Sequence, residues 1–221
     1  NALLTSVSHD LRTPLATIRG AAAVLVDSAT AAAPGVRDQL AHEIQRESER
    51  LDDLIGNVIH ATRLESDRVD LRRQWTAIEE VIGNALRRIG TRLHHHRVST
   101  SVPPALPLLQ ADPVLLEQAC FNLLDNIARH TPAETAVTVG AAVEGRELVL
   151  AIDDDGPGRS LSTPSPGTGL GLGLVVVRGI VTAHGGTMVT AHGDDGRGTR
   201  IRIRLPLPPE QPTMPPANSE P

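Results

Sequence analysis

A histidine near the start of the chain lies among residues whose types and spacing could carry out chemistry: Ser8-His9-Asp10-Leu11-Arg12-Thr13-Pro14-Leu15. In a helix whose apolar side includes Leu4 and Leu11, His9 lies off that side and faces solvent. An exposed imidazole is a nucleophile near neutral pH, and Asp10 could orient its ring. Thr13 follows about one turn later, so its hydroxyl can share a site with His9. The alternative is that His9 is an ordinary surface histidine, and the motifs in the rest of the chain are needed to choose between these two interpretations.

A second polar group lies on a predicted helix, where Asn122 and Asn126 are four residues apart and Arg129 and His130 follow. An amide oxygen is a hard ligand that suits Mg²⁺, which keeps most of its waters and is shared with phosphates. Arg129 could neutralise a phosphate. A solvated polar helix face is an equally good interpretation when this group is taken alone.

Two glycine-containing segments could hold a nucleotide. The first, Asp153-Asp154-Asp155-Gly156-Pro157-Gly158, ends a predicted strand, where a carboxylate could accept the amino group of adenine. By itself it is weak, because acidic Gly-Pro turns are common on surfaces. The second, Gly167-Thr168-Gly169-Leu170-Gly171, leads into a helix and offers free backbone amides to a triphosphate. It has neither the Walker pattern nor the spacing of a dinucleotide fingerprint.

Two predicted helices position His9. In the first, over residues 2–27, Leu4, Leu11, Ile18 and Leu25 recur every seven residues. The second extends to about residue 65, after a break at residues 30–36 that contains Pro34. A hairpin with one apolar stripe on each arm cannot bury that stripe alone. We therefore expect an all-α hairpin that pairs with a second copy as a dimeric four-helix bundle.

The other motifs fall in a second region, where the pattern predicts an α/β sandwich with helices on one face of a mixed sheet. Helices are predicted over 77–89, 113–130 and 172–184, and strands over 98–102, 106–110, 136–143, 147–152, 187–192 and 199–205. The predicted domains are 1–65 and 76–206, joined by a polar linker, 66–75. Residues 207–221 contain six prolines and are expected to be disordered.

Composition excludes several classes of function. Trp75 and Phe121 are the only aromatic residues apart from histidine, and the net charge is −5, so nucleic-acid binding by stacking or by a basic surface is not expected. The single cysteine, Cys120, excludes an internal disulfide and is expected in the core. No segment reaches 18 apolar residues, and no signal peptide is evident. The chain begins at Asn1, so we expect that an upstream portion has been left out.

Two further features receive structural interpretations. His94, His95 and His96 are consecutive and cannot all converge on one metal ion. Trp75, at the domain junction, is expected to be a packing anchor. All 21 basic residues are Arg, so any lysine that a motif requires must appear here as Arg.

The order and spacing of the motifs resemble those of sensor histidine kinases over essentially the whole ordered length. Residues Ser8–Leu15 resemble the H box of that family, Asn122–Thr131 its N box, and Asp154–Gly158 and Gly167–Gly171 its two glycine boxes. Within the family, the segments Asn1–Gly20, Gln74–Leu86 and Leu172–Gly186 are similar to the KdpD type, which is linked to potassium and osmotic stress.

The resemblance implies a dimerisation and phosphotransfer domain followed by an ATP-binding domain of the histidine kinase, Hsp90 and gyrase type. His9 would be the phosphoacceptor, Asp10 its activating acid, and Thr13 the residue that positions water for dephosphorylation of a partner. Asn126 would hold Mg²⁺ and Asp154 would bind adenine. The remaining residues of the implied ATP site are Asn122, Arg129, His130, Gly156, Gly158, Gly167, Thr168, Gly169, Leu170 and Gly171.

The same resemblance implies a homodimer that passes phosphate to an aspartate in the receiver domain of a response regulator, which would be KdpE-like. The chain would be the cytoplasmic part of a bacterial kinase that is anchored in the membrane by upstream segments. Three departures from the family pattern stand out. Arg129 replaces a lysine and His130 a tyrosine, and only eight residues, 159–166, separate the glycine boxes, where the family has a longer lid. A short lid leaves two alternatives open: a weak or phosphatase-biased kinase, and a nucleotide-sensing dimer without catalysis.

Overall fold

The computed structural model describes residues 2–26, 35–65, 71–158, 171–193 and 196–210. For residues 2–10, 50, 52–54, 57–65 and 171–172 it describes the backbone alone. The chain divides into two compact units, of which the first contains the helical hairpin and the second contains the sheets. None of the described helices is long and apolar enough to cross a bilayer.

The hairpin consists of α1 (Ala2–Val26) and α2 (Val36–Glu65), which pack against each other. Gly35 precedes α2 with a φ of +80°, a conformation that favours glycine. Among the described side chains of the hairpin, only Pro14 and Ala21 are buried. Leu15 on α1 is 51% exposed and Ile55 on α2 is 47% exposed. The pair therefore leaves apolar surface uncovered on both helices.

The second unit contains a five-stranded sheet and a two-stranded sheet. The strands are β1 (Gln74–Thr76), β2 (Arg97–Ser101), β3 (Leu109–Ala111), β4 (Ala136–Glu144), β5 (Glu147–Asp154), β6 (Thr187–His192) and β7 (Thr199–Pro206). In the large sheet their order is β2-β4-β5-β7-β6, where β2 is parallel to β4 and every other pair is antiparallel. The predicted mixed sheet is confirmed.

Alternation along β7 separates the two faces of this sheet. Ile201, Ile203 and Leu205 are buried, whereas the arginines between them form ion pairs with Glu144, Glu147 and Asp153 on the other face. The helices α3 (Ile78–Ile89) and α4 (Pro113–His130), with a 3₁₀ turn at Gly90–Leu93, belong to this unit. Helix α5 (Gly171–Ala183) is divided between the two units after Val176. Helix α4 contacts both α3 and β5, and β5 leads into the first glycine box.

Strand β1 was not predicted, because its pairing depends on residues far along the chain. Gln74 and Trp75, assigned above to the linker, pair with Ala111 and Gln110 of β3. The strand predicted from residue 106 begins only at Leu109, and Pro107 in the preceding segment has no N–H to donate. Trp75 is 42% exposed, so it packs only partly.

A buried histidine, His184, connects the end of α5 to the start of α4. Its Nδ1 lies 2.7 Å from the carbonyl oxygen of Ile180, and its Nε2 lies 3.0 Å from the backbone nitrogen of Asp112. The Asp112 N–H must donate, so the ring is neutral and carries its proton on Nδ1. The Asp112 side chain in turn accepts hydrogen bonds from the N–H groups of Val114 and Leu115 and caps α4. His184 thereby helps to position the helix of the N box.

We expect His184 to make the second unit sensitive to mild acid. Burial lowers the pKa of His184 below its usual 6.5, so the unfolded chain binds a proton that the folded chain excludes. The stabilisation is fully present above about pH 6.5, and below it the free energy of unfolding should fall by up to about 1.4 kcal/mol per pH unit. Urea unfolding at pH 7.5 and 5.5 measures this through Trp75, the single tryptophan, which lies in the same unit.

The control for this measurement is His184→Gln, whose amide takes up no proton. The variant should be less stable than the wild type at pH 7.5 and should lose this part of the pH dependence. Equal dependence on pH in the two proteins would contradict the assignment.

Candidate ATP-binding and phosphoacceptor site

The two amides of the predicted N box differ in their surroundings. Asn122 is buried, and its Oδ1 accepts a hydrogen bond of 2.9 Å from Nε2 of Gln118. Arg88 fixes Gln118 by donating to its Oε1 at 2.9 Å. Asn126, one turn further along α4, is half-buried. Because the Asn122 oxygen is engaged, Asn126 is the amide of the pair that better suits a cation.

Arg129 is held along α4 by an ion pair. Its Nε donates to Oδ2 of Asp125 at 2.6 Å, and Arg92 donates to the other carboxylate oxygen at 2.7 Å. A phosphate that approaches Arg129 therefore has to compete with Asp125 for the guanidinium. His130, the last residue of α4, is half-buried.

The three consecutive aspartates of the first glycine box have three different environments. Asp153 forms ion pairs with Arg200 and Arg202 on the solvent face of the sheet. Asp155 accepts the N–H of Ala136 at 2.6 Å and lies 3.6 Å from the Arg97 guanidinium. Asp154, the aspartate to which the family resemblance pointed, makes no ion pair among the described residues.

The Asp154 carboxylate is half-buried, and its pKa is shifted. Burial raises its pKa, while hydrogen bonds from the N–H of Gly156 and from Thr199 act in the opposite direction. The bond from Gly156 is 3.0 Å long. A carboxylate has about four acceptor positions, so Asp154 can accept a further N–H donor beside these hydrogen bonds.

Glycines keep the backbone around Asp154 close-packed. A Cβ added to Gly198 would lie 1.8 Å from the carbonyl oxygen of Asp154, so no larger residue fits there. The N–H of Gly198 donates to the carbonyl oxygen of Gly156 at 2.8 Å, and Gly158 has a φ of +63°. The loop before β7 therefore packs against the backbone of the first glycine box.

The end of the N box meets the first glycine box at Thr131. A Cβ added to Gly156 would lie 2.9 Å from both Cγ2 of Thr131 and Oδ1 of Asp154. The structure thus brings two of the predicted motifs together. It also adds Gly198 and Thr199, which sequence reasoning did not select. The string Gly196-Arg197-Gly198-Thr199, directly before a predicted strand, was the available signal.

The remaining predicted site residues are described only in part. His9 and Asp10 lie within α1, but their side chains are outside the description, whereas Thr13 is exposed on the same helix. Gly171 begins α5. The lid residues 159–166 and the second-box residues Gly167, Thr168, Gly169 and Leu170 lie outside the described residues.

The histidine triplet and the cysteine are separate from these motifs. The rings of His94 and His95 lie 3.6 Å apart, and the ring of His96 turns instead toward Thr131. No group of three potential His, Cys, Asp or Glu metal ligands occurs among the described residues. Cys120 is buried as expected, and burial raises the pKa of its thiol to about 12, so it is unreactive at neutral pH.

Two family models match the chain in the order of its two units. The His Kinase A (phospho-acceptor) domain matches residues 1–67, and the histidine kinase-, DNA gyrase B- and HSP90-like ATPase matches residues 111–209. Sensor protein KdpD of Escherichia coli K12 is 34% identical over 220 residues, which are 93% of this chain. The chain spans only 24% of the length of that relative.

Solved structures agree with this assignment. The Acinetobacter baumannii histidine kinase AdeS shares the fold, with a TM-score of 0.70 and 22% identity over 90% of this chain and 98% of AdeS. The mycobacterial sensor histidine kinase MprB is 30% identical, with a TM-score of 0.52 over 60% of this chain and 97% of that structure. From the phosphoacceptor hairpin, the mixed sheet with its glycine-box carboxylate and these matches, we conclude that the chain belongs to the sensor histidine kinase family.

Proposed function

We propose that the chain is the catalytic core of a kinase that phosphorylates its own His9 from ATP and then passes the phosphoryl group to an aspartate of a response regulator. The observation that supports this most directly is the junction of Asp154, Gly156 and Thr131, where the N box and the first glycine box meet behind a half-buried carboxylate. The same chain also contains a hairpin of the phosphoacceptor type, whose His9 would receive the phosphoryl group from ATP.

In this proposal Asp154 accepts the amino group of adenine, and Gly156 and Gly158 let the backbone approach the base. Asn126 would hold Mg²⁺ through its amide oxygen; the ion would supply positive charge at the phosphates. Asn122 and Arg129 lie on the same helix and would face the phosphates. The other residues proposed for the nucleotide are His130, Gly167, Thr168, Gly169, Leu170 and Gly171.

At the other end of the reaction, a nitrogen of His9 attacks the γ-phosphorus while the bond to the bridging oxygen of ADP breaks. Asp10 would orient the imidazole and receive its proton. Thr13 would position a water for the reverse task, dephosphorylation of the regulator, and its exposure on α1 leaves it accessible to a partner.

Labelling with radioactive ATP and Mg²⁺ tests the proposal. The intact chain should acquire phosphate that is stable in base and labile in acid, as expected of a nitrogen–phosphorus bond. Adding a purified receiver domain should move the label to that domain as an acid-stable acyl phosphate. A chain that binds ATP but acquires no label would contradict the kinase assignment.

We further propose that the hairpin forms a homodimer. Exposed Leu15 and Ile55 are apolar surface that one hairpin leaves in water, and a second copy would cover it as a four-helix bundle. The KdpD likeness also leads us to propose a KdpE-like regulator as partner and a cytoplasmic position beneath upstream membrane segments.

Leu15→Glu is expected to dissociate this dimer. A buried, unpaired carboxylate at the interface is strongly unfavourable, so the mass in solution should fall from twice 23.4 kDa to the mass of one chain at micromolar concentration. Ala16→Glu is the matched control, because Ala16 is the next residue of α1 and also exposed, but points away from Leu15. Sedimentation would contradict the proposal if Leu15→Glu remained dimeric.

A further inference from the structure

His96, which the motifs leave without a role, is fixed in place from both sides. The carbonyl oxygen of His95 accepts the N–H of Glu134 at 2.6 Å, and the N–H of Arg97 donates to the carbonyl oxygen of Thr135 at 3.0 Å. These bonds join the start of β2 to the segment that leads into β4. The backbone of His96 is therefore held beside the C-terminal end of α4.

The ring of His96 extends to Thr131. Its Nε2 lies 2.9 Å from Oγ1 of Thr131, whose hydroxyl lies 2.8 Å from the carbonyl oxygen of Ile127. A carbonyl oxygen can only accept, so the Thr131 hydroxyl donates to Ile127 and accepts from Nε2–H of His96. The other ring nitrogen, Nδ1, is buried and has no hydrogen-bond partner among the described residues, which fits a lone pair better than an N–H. The ring is thus assigned as a donor to Thr131.

Thr131 carries this contact to the adenine end of the proposed site. Two hydrogen bonds fix its side chain, so its methyl group has one position. That methyl group and the Asp154 carboxylate border the same point beside Gly156, each 2.9 Å from an added Cβ. A shift of Thr131 would free the turn at Gly156, whose N–H holds the Asp154 carboxylate at 3.0 Å.

We propose that His96 is a positioning residue for nucleotide binding: through Thr131 and Gly156 it holds Asp154 in the orientation that receives adenine. The inference rests on the proposed ATP binding and deepens it, because it assigns affinity for the base to a residue outside the four motifs. His96 does not touch the nucleotide. Substituting His96 should therefore weaken the binding of ATP and ADP and leave the rate of γ-phosphate transfer unchanged.

The test measures dissociation constants for ATP and ADP, together with the rate of self-labelling at saturating ATP. His96→Leu removes the donor, and Thr131→Val removes the acceptor while it keeps the branched shape. Each should raise both dissociation constants by about 3- to 10-fold, which is the loss of affinity expected when one hydrogen bond is removed. The double variant should be no weaker than the worse single one, because the two residues act through one contact.

Two controls separate positioning from general damage. His96→Gln retains an N–H donor and should stay within about twofold of the wild type. His95→Leu alters the exposed neighbour, which does not reach Thr131, and should bind ATP as the wild type does. Urea unfolding of each variant shows whether it is folded. If His96→Leu does not fold, the affinity of Thr131→Val for ATP and ADP tests the proposal.

The outcomes distinguish this inference from the proposed function. Wild-type affinity in both His96→Leu and Thr131→Val, or a lower rate at saturating ATP with unchanged affinity, would overturn the role of His96 and leave ATP binding intact. Additive losses in the double variant would also overturn it. A wild-type chain that binds no nucleotide would instead overturn the proposed function and this inference together.

Discussion

His9→Gln should abolish self-phosphorylation. Glutamine has a similar length but no nucleophilic nitrogen, so labelling from ATP is expected to fall by a factor of about 1,000 or more, below detection. ATP affinity should stay at the wild-type value, because His9 belongs to the hairpin and not to the unit that carries Asp154 and Asn126. Autoradiography after incubation with ATP and Mg²⁺, alongside a binding titration, measures both quantities.

The hairpin also supplies a matched control for this experiment. His42 lies on α2, is exposed, and its Nδ1 is 2.6 Å from the carbonyl oxygen of Asp38. His42→Gln changes the same residue type in the same unit and should leave labelling intact. If label persisted in His9→Gln, another residue would be the phosphoacceptor, and loss in His42→Gln would identify one.

Local signals predicted most of the secondary structure. Helix α4 was predicted at its observed bounds, Pro113–His130, because proline is favoured in the first turn of a helix. The alternating segments that became β4 to β7 were also predicted, since one face of the sheet is apolar and the other is not. Strand β1 was missed, because its three residues become a strand only through pairing with β3.

The candidate site was predictable as motifs but not as contacts. Residue chemistry gives Asp153, Asp154 and Asp155 equal roles, and only the family resemblance pointed to Asp154; their different surroundings come from long-range partners. The arginines of β7 pair with Asp153, and the start of β4 pairs with Asp155. Gly198 and Thr199 complete the site from more than 40 residues away along the chain. Pairings of that kind depend on sheet order, which local patterns do not encode.

The role of Asp154 can be separated from that of its neighbours by single substitutions. Asp154→Asn should weaken ATP binding by about 100-fold, because a charged acceptor in a half-buried place is replaced by a neutral amide. Asp153→Asn is the matched control, since it alters the adjacent residue of the same strand, which faces Arg200 and Arg202 on the other side. Calorimetric titration with ATP should give nearly wild-type affinity for that control.

The pH dependence of binding supplies an independent check on the same carboxylate. Burial raises the pKa of Asp154, so on acidification it takes up a proton at a higher pH than an exposed aspartate would. The protonated carboxyl is a poorer acceptor for the adenine amino group, so ATP affinity in the wild type should fall as the pH is lowered toward that raised pKa. Asp154→Asn should lack this fall, whereas Asp153→Asn should retain it. Adenine recognition would have to be assigned elsewhere if Asp154→Asn bound ATP as tightly as Asp153→Asn at neutral pH.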